Sequence, residues 1–167
     1  GLLYTQDKEI QSWVSERTTK STEDISKYGL EPWGSGLYSM STMGLFYLHG
    51  TVFKNRRSKK VALLGVKSFL ISGFLVNIPK HLFNRHRPYN DEPPNPYVWE
   101  GPFADRYYKS FVSGHTTSVF AVATIVSSEY KDKFYIPLIS YSIASFSAFS
   151  RVHDNKHWAS DIFAGAF

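Results

Sequence analysis

The sequence predicts an all-α protein, an antiparallel bundle of five or six helices with its functional site at one end. Three uncharged runs of helical length carry this prediction, and short charged or Pro/Gly-rich segments separate them. The alternating Val, Ile and Thr of strands is missing, although 134–149 is ambiguous. The length predicts one domain, 1–167, with a motif-bearing core at 60–167 and a polar N-terminal helix at 1–31.

The N-terminal region is polar and predicts one short amphipathic helix followed by a Ser/Thr-rich link. Ile10, Trp13 and Val14 have the spacing of a helical stripe, so we expect them to be buried. The breaker cluster 32–36 ends this region, and a helix is predicted over 37–53.

The strongest helix candidate follows a short basic run at 54–60, which we interpret as a solvated loop. It covers 61–84 and ends before Pro88, because the residue before a proline disfavours helical backbone angles. Its apolar residues are spaced to bury a broad face: Val61, Leu64, Phe69, Leu70, Phe74, Leu75 and Ile78.

The second half of the chain predicts a long loop and three further helical segments. The loop, 88–110, is rich in proline and aromatic residues, and a loop of this length is usually functional. Its aromatic residues either form a wall against an apolar substrate tail or fix the loop in place. Ser113 caps a helix that runs to Ser128, and the ambiguous run 134–149 follows. Residues 158–167 resemble the start of a helix, so we expect the native chain to continue.

Composition and charge exclude several classes of function. The net charge of +5 fits nucleic acid, an anionic membrane surface or phosphorylated substrates. No nucleic-acid motif accompanies this charge, so we expect no nucleic-acid partner. The absence of cysteine excludes disulfides, thiolate catalysis and thiolate metal sites.

The uncharged runs are near the length limit for crossing a membrane. A bilayer-spanning helix needs about 20 mostly apolar residues, and 32–53, 110–128 and 134–150 approach that length. The mean hydropathy of −0.26 and the charged Lys67 weigh against insertion. The balance favours a soluble or peripheral domain, with an integral membrane protein as the alternative.

Three short motifs contain most of the reactive groups. The first is Lys80 followed by Arg87-Pro88. On a helix both cations share one face, and they repel each other unless an anion lies between them. By itself this pair is more typical of a solvated basic face.

The second motif, Ser113-Gly114-His115, stands at a predicted helix start. The free N–H groups and the dipole of a helix N-terminus favour a phosphate, and glycine lets the backbone approach it closely. By itself the tripeptide is more typical of an ordinary N-cap beside a surface histidine.

The third motif contains Arg151, His157 and Asp161. A carboxylate four residues after His157 can bond one imidazole nitrogen, fix the tautomer and leave the other nitrogen as a nucleophile. A structural His–Asp pair is the common alternative. A metal-binding stripe of His153, His157 and Asp161 is also conceivable, but Arg151 would repel a cation, so no metal is predicted.

Together the motifs resemble the type 2 phosphatidic acid phosphatase superfamily, which includes bacterial acid phosphatases, lipid phosphatases and vanadium haloperoxidases. Its pattern is Lys, six residues, Arg-Pro; then Pro-Ser-Gly-His; then Ser-Arg, five residues, His, three residues, Asp, and this chain has the same spacing. The first and third motifs match in full, and the middle one departs only at Val112, where proline is usual. The resemblance covers about residues 60–167.

The resemblance implies an all-helical protein with an active site that needs no metal and no cofactor. It implies that His157 attacks phosphorus and forms a phosphohistidine, and that Asp161 orients it. His115 would protonate the leaving alcohol and then activate water. The groups expected to hold the phosphoryl oxygens are Lys80, Arg87, Ser113, Gly114 and Arg151.

The resulting hypothesis is a metal-independent phosphomonoesterase of the cell envelope, periplasmic or facing the periplasm. Its expected partner is a phosphate ester, either a lipid phosphate or diphosphate or a small ester, with a membrane surface as a further candidate. A vanadate-dependent haloperoxidase is one alternative, although the chain is short for it. A non-catalytic anion- or lipid-binding module is the other, although binding alone would not require His157 and Asp161.

Overall fold

The computed structural model describes residues 2–167, and its framework there is helical. A π-helical segment, Ile25–Leu30, accompanies the α-helices, and the only strand-like pairing in the described range is an isolated bridge between Arg85 and Trp99. The all-α prediction is confirmed. The α-helices are α1 Leu2–Thr5, α2 Asp7–Ser15, α3 Lys20–Asp24, α4 Glu31–Ser35, α5 Leu37–Val52, α6 Arg56–Leu75, α7 Asn77–Phe83, α8 Gly114–Glu129, α9 Tyr135–His153 and α10 Ala159–Gly165.

The bundle itself consists of α5 to α10, six helices in keeping with the five or six expected. Short connections make α5 and α6 antiparallel neighbours, and the same holds for α8 and α9. Helix α8 is central, because it packs against α6 on one side and α9 on the other. The short α10 closes against α8 and α9, next to the end of the bundle where α8 begins.

The core between these helices is built largely from small side chains. Small residues let the helices approach closely: a Cβ on Gly65 of α6 would overlap Met43 Sδ of α5. The buried apolar residues form two clusters, the first with Met43, Val61 and Val122, the second with Val119, Ala123 and Ala144.

The outer faces of the bundle are strongly apolar. The prediction that the apolar face of 61–84 is buried is wrong in part. Val61 is buried, but Leu70 is 63% and Phe74 is 75% exposed. The reason is that the fully buried residues of α6 are small, so Leu70 and Phe74 lie on the outside, although Phe69 is partly buried against the core. Arg56–Phe83, which joins α6 and α7, is long and apolar enough to cross a membrane, judged by length and composition alone.

Residues 2–35 differ most from the prediction, because they form four short α-helices and the π-helical segment, whereas one helix and a link were expected up to residue 31 and a break at 32–36. Val14 is buried as expected. Trp13 is 54% exposed, with the guanidinium of Arg17 4.4 Å from its ring, so the predicted stripe is wrong there. Helix α4 packs against α8 and α9, and this brings the N-terminal region to the end of the bundle that carries the motifs.

The loop between α7 and α8 is held at both ends. Asn84, which ends α7 with φ 44°, accepts a hydrogen bond of 2.7 Å from the N–H of Tyr108. Trp99 Nε1 donates to the hydroxyl of Tyr4 at 2.9 Å. Of the two roles predicted for the loop aromatics, Trp99 therefore serves to fix the loop, whereas Phe103 is 97% exposed.

Candidate active site

The junction of α9 and α10 places His157 beside Asp161. Helix α9 ends at His153, and Asp161 lies in the first turn of α10, where its Oδ2 accepts a hydrogen bond of 3.0 Å from the N–H of Trp158. His157 Nδ1 is 3.6 Å from Asp161 Oδ2, which is a contact slightly longer than a hydrogen bond. Both side chains are buried.

Burial decides the protonation state of this pair. It lowers the pKa of His157 to about 4, with Asp161 opposing the shift, and the nearby cations Lys80 and Arg87 lower it further. Burial by itself would raise the pKa of Asp161, but contacts with His157 and Arg85 outweigh it, so this pKa lies below its ordinary value. At neutral pH the pair is therefore a neutral imidazole beside a carboxylate, the state that a nucleophilic histidine needs.

Two residues that the sequence analysis missed hold Asp161 in place. Arg85 Nη1 donates to Asp161 Oδ1 at 2.6 Å, and Ser110 Oγ donates to Asp161 Oδ2. All three side chains are fully buried. Arg85 was visible in the sequence as a further cation inside the first motif, whereas Ser110 comes from the long loop and no pattern indicates it.

Lys80 and Arg87 meet at the backbone of the long loop. Lys80 Nζ donates to the carbonyl of Lys109 at 2.9 Å, and Arg87 Nη2 lies 3.5 Å from the same oxygen. The expected shared helix face is wrong, because α7 ends at Phe83 and Arg87 lies beyond it. A Cβ on Gly114 would lie 3.6 Å from Lys80 Cε, so the lysine packs against the start of α8.

Ser113 joins the second motif to the third. It is the N-cap of α8, and its Oγ accepts a hydrogen bond of 3.0 Å from Thr116 Oγ1. Its backbone N–H donates to the carbonyl of Asp161 at 3.2 Å. Because the hydroxyl oxygen acts as an acceptor here, its own proton is available to an anion.

Arg151 and His115 are connected through Glu31, a residue outside the three motifs. Glu31 Oε1 is 2.9 Å from His115 Nε2 and 4.0 Å from Arg151 Nη1. The carbonyl of Arg151 accepts a hydrogen bond of 3.1 Å from the N–H of His157. The structure thus brings all eight predicted site residues into one connected region: Lys80, Arg87, Ser113, Gly114, His115, Arg151, His157 and Asp161.

The metal-binding stripe considered as an alternative is not formed. His153 ends α9 and contacts Asp154, whereas His157 and Asp161 lie beyond the end of that helix. In the part of the chain that the structure describes, no group of three or more His, Asp or Glu side chains is arranged to hold a metal ion. The neighbours of His157 are mainly cationic, which suits an anion.

A comparison with known protein families identifies the family of this chain. Residues 61–167 match the family described as the PAP2 superfamily. The chain belongs to the PAP2 superfamily. The matched region contains all three motifs, so the resemblance predicted from their spacing is confirmed.

Individual relatives agree with membership of the PAP2 superfamily. The chain is 32% identical over 127 residues to a protein from Porphyromonas gingivalis named lipid A 1-phosphatase. That match covers 74% of this chain but 25% of the relative, so the chain spans about a quarter of that protein's length.

Two crystal structures share the PAP2 fold with this chain. The first is described as the first transmembrane PAP2 type phosphatidylglycerolphosphate phosphatase from Bacillus subtilis, with a TM-score of 0.72 at 19% identity, covering 97% of this chain and 78% of that one. The second is LpxE of Aquifex aeolicus, with a TM-score of 0.63 at 23% identity, covering 95% of this chain and 86% of that one. At such identities the likeness concerns the fold.

Proposed function

We propose that this PAP2 chain is a phosphatase domain that hydrolyses a lipid phosphate or diphosphate through a phosphohistidine, without a metal. The observation that carries the proposal is the connected site in which a neutral His157 contacts an ionised Asp161 within a field of cations. A tetrahedral phosphoryl group needs fixed donors for its oxygens, and a neutral imidazole beside a carboxylate can attack phosphorus.

The reaction takes two steps. In the first, the free ring nitrogen of His157 bonds to phosphorus while the bond to the leaving oxygen breaks, and His115 gives that oxygen a proton. In the second, water attacks phosphorus, His115 takes up a proton, and the bond from nitrogen to phosphorus breaks, which releases inorganic phosphate. Asp161 stabilises the positive charge on His157. The side chains that balance the charge of the phosphoryl oxygens are Lys80, Arg87 and Arg151.

A lipid substrate is supported by the outer surface of the bundle. Leu70, Phe74 and Ile78 are all more than half exposed, within Arg56–Phe83, which has the length and composition of a membrane span. The single charge in its apolar part, Lys67, lies about two turns beyond the basic run that starts α6, and its long side chain can extend towards the headgroups on that side. We therefore infer that α6 and α7 insert into a bilayer, in place of the soluble or peripheral location that the composition favoured. The names of two relatives also refer to lipid phosphates.

Phosphate release by the detergent-purified protein tests the proposal. Lipid A and phosphatidylglycerolphosphate are compared with glucose 6-phosphate, all in EDTA. We expect release from the lipids, inhibition by vanadate, an acid-labile phosphoenzyme after rapid quenching, and neither release nor phosphoenzyme with His157→Ala. Activity that stops with chelator and returns with a divalent metal would contradict the metal-free reaction. Release by His157→Ala equal to that of the parent would contradict the phosphohistidine, and vanadate-dependent halide oxidation would favour a haloperoxidase.

Membrane insertion has a separate test. After alkaline carbonate extraction of membranes, we expect the parent chain in the pellet. Replacing Leu70, Phe74 and Ile78 together by serine removes apolar surface that the core does not use, so the variant should move to the soluble fraction. A parent chain that carbonate releases would contradict insertion.

A further inference from the structure

A carboxylate from the N-terminal region reaches the proposed general acid. Glu31 begins α4, and its Oε1 is 2.9 Å from His115 Nε2. Its other oxygen accepts a hydrogen bond of 3.5 Å from Ser35 Oγ, one turn further along α4. The carboxylate is therefore held from both sides, and its shortest contact is with the imidazole of His115.

The contact between α4 and His115 extends to the backbone. A Cβ placed on Gly34 would lie 2.8 Å from His115 Cβ and 3.0 Å from its Cδ2. Only glycine lets the helix come this near, so the ring of His115 packs directly on α4. The position of Glu31 relative to the ring is thus determined by close packing as well as by one hydrogen bond.

An ion pair with Arg151 does not explain the position of the Glu31 carboxylate. Arg151 Nη2 already donates to Asp154 Oδ2, three residues further along the chain. Its distance to Glu31, 4.0 Å, is at the limit of an ion pair. The imidazole of His115 is therefore the principal partner of Glu31.

His115 needs such a partner because its other neighbours disfavour a proton. Partial burial lowers the pKa of His115, and the cations Arg151 of α9 and Lys80 of α7 lower it further. Glu31 is the one group of α4 that acts in the opposite direction, through its hydrogen bond and its charge. A general acid must carry a proton when the leaving oxygen departs.

We propose that Glu31 is a positioning residue for the PAP2 reaction: its carboxylate bonds Nε2 of His115, orients the imidazole and favours its protonated form. Nδ1, which makes no hydrogen bond to any residue that the structure describes, then hands its proton to the leaving oxygen. This inference rests on the proposed function, because it assigns Glu31 to the proton transfer of that reaction. It parallels the contact of Asp161 with His157, with the two ring nitrogens exchanged.

The experiment compares Glu31→Gln with Glu9→Gln. Both variants remove one negative charge from the N-terminal region, but Glu9 is exposed on α2 and its side chain forms no hydrogen bond or ion pair with any residue that the structure describes. The pKa of the His115 ring is measured by NMR, and kcat is measured against pH for a lipid phosphate and for p-nitrophenyl phosphate. These measurements separate the two proposals, since the NMR titration does not depend on turnover.

In Glu31→Gln we expect a lower His115 pKa and a fall of kcat that begins at lower pH, with KM little changed. Each unit of pKa lost reduces the protonated fraction above the pKa about tenfold, so kcat at neutral pH should fall about tenfold per unit. The loss should be smaller for the nitrophenyl ester, whose leaving group needs no proton. Glu9→Gln should match the parent in all of these measurements.

Three results would overturn the inference. The first is an unchanged His115 pKa in Glu31→Gln. The second is an unchanged pH profile. The third is a Glu31→Gln variant that turns over faster or binds inorganic phosphate more tightly. The Glu31 carboxylate would then only occupy the position of the substrate's phosphate group. Should Glu31→Gln not fold, Glu31→Asp shortens the side chain and keeps the charge. It should give a smaller shift in the same direction, and an unaltered profile in that variant overturns the inference equally.

Discussion

Asp7 and Arg85 lie 78 residues apart in the sequence and form a fully buried ion pair, in which Arg85 Nη2 donates to Asp7 Oδ2 at 2.7 Å. The second terminal nitrogen of Arg85 bonds Asp161. Asp7 also accepts a hydrogen bond of 2.8 Å from the N–H of Ser160 at the start of α10. A continuous chain of buried polar contacts therefore connects helix α2 to Asp161, the residue proposed to orient His157.

Asp7→Ala should destabilise the protein by about 3 kcal/mol, because it removes a buried carboxylate from Arg85 and leaves Nη2 with the neutral carbonyl of Pro96 as its acceptor. It should also lower kcat, since Arg85 supports Asp161. Urea or thermal unfolding measures the first effect and phosphate release the second. The matched control is Asp105→Ala, an exposed carboxylate of the long loop, which should change neither. Equal effects of the two variants would show that the buried ion pair contributes no more to stability or activity than an exposed carboxylate does.

His157 should make the stability of the fold depend on pH. Its pKa is about 4 in the folded protein and near 6.5 when exposed, so between these values the unfolded chain binds a proton that the folded protein does not. The His157 contribution is present above pH 6.5 and is lost as the pH falls towards 4. The slope reaches at most about 1.4 kcal/mol per pH unit. We expect the slope of the unfolding free energy over this window to decrease in His157→Gln.

His115→Ala should affect esters according to their leaving group. Loss of a general acid costs roughly 10²–10⁴ in rate when the leaving oxygen needs a proton. We therefore expect a loss of this size for an alkyl or lipid phosphate and a much smaller one for p-nitrophenyl phosphate. The kcat values of the two substrates, in the parent and the variant, measure this difference. Equal losses on both would assign His115 to binding instead of proton transfer.

Lys80→Ala should lower kcat by roughly 10²–10³, the usual cost of losing one donor to a charged transition state. It should also weaken inhibition by vanadate, which resembles the phosphoryl group in charge and shape. Lys131→Ala removes an equal charge from the exposed turn between α8 and α9 and serves as the control. If both variants lose activity equally, the effect belongs to the net charge and not to the site.

Two glycines of α5 should respond in opposite ways to alanine. A Cβ on Gly50 would lie 2.7 Å from the backbone nitrogen of Lys59 and 2.9 Å from the carbonyl of Asn55, so α6 must move away. We expect Gly50→Ala to cost about 1–3 kcal/mol. A Cβ on Gly44 would meet nothing within 4 Å, so Gly44→Ala should be neutral or stabilise the helix by up to about 1 kcal/mol. Thermal unfolding of Gly50→Ala and Gly44→Ala measures both stability changes.

Local signals explain which helices could be predicted. The run 37–53 corresponds to α5, and the cap at Ser113 correctly marks the start of α8. Capping and apolar periodicity involve residues within one or two turns, so they are readable in a single sequence. The outward face of α6 was mispredicted, because an apolar stripe shows only that a surface avoids water. It does not show whether helices or lipid cover that surface.

The sequence by itself determined the all-α class and the family and predicted the set of reactive groups, because each motif is short and the spacing within the motifs is specific. Only the tertiary structure decided how these groups are supported. Asp7, Glu31 and Ser110 touch Arg85, His115 and Asp161 across 78, 84 and 51 residues. Contacts over such separations leave no periodicity in the chain, since they exist only once the N-terminal region and the long loop have packed against the end of the bundle.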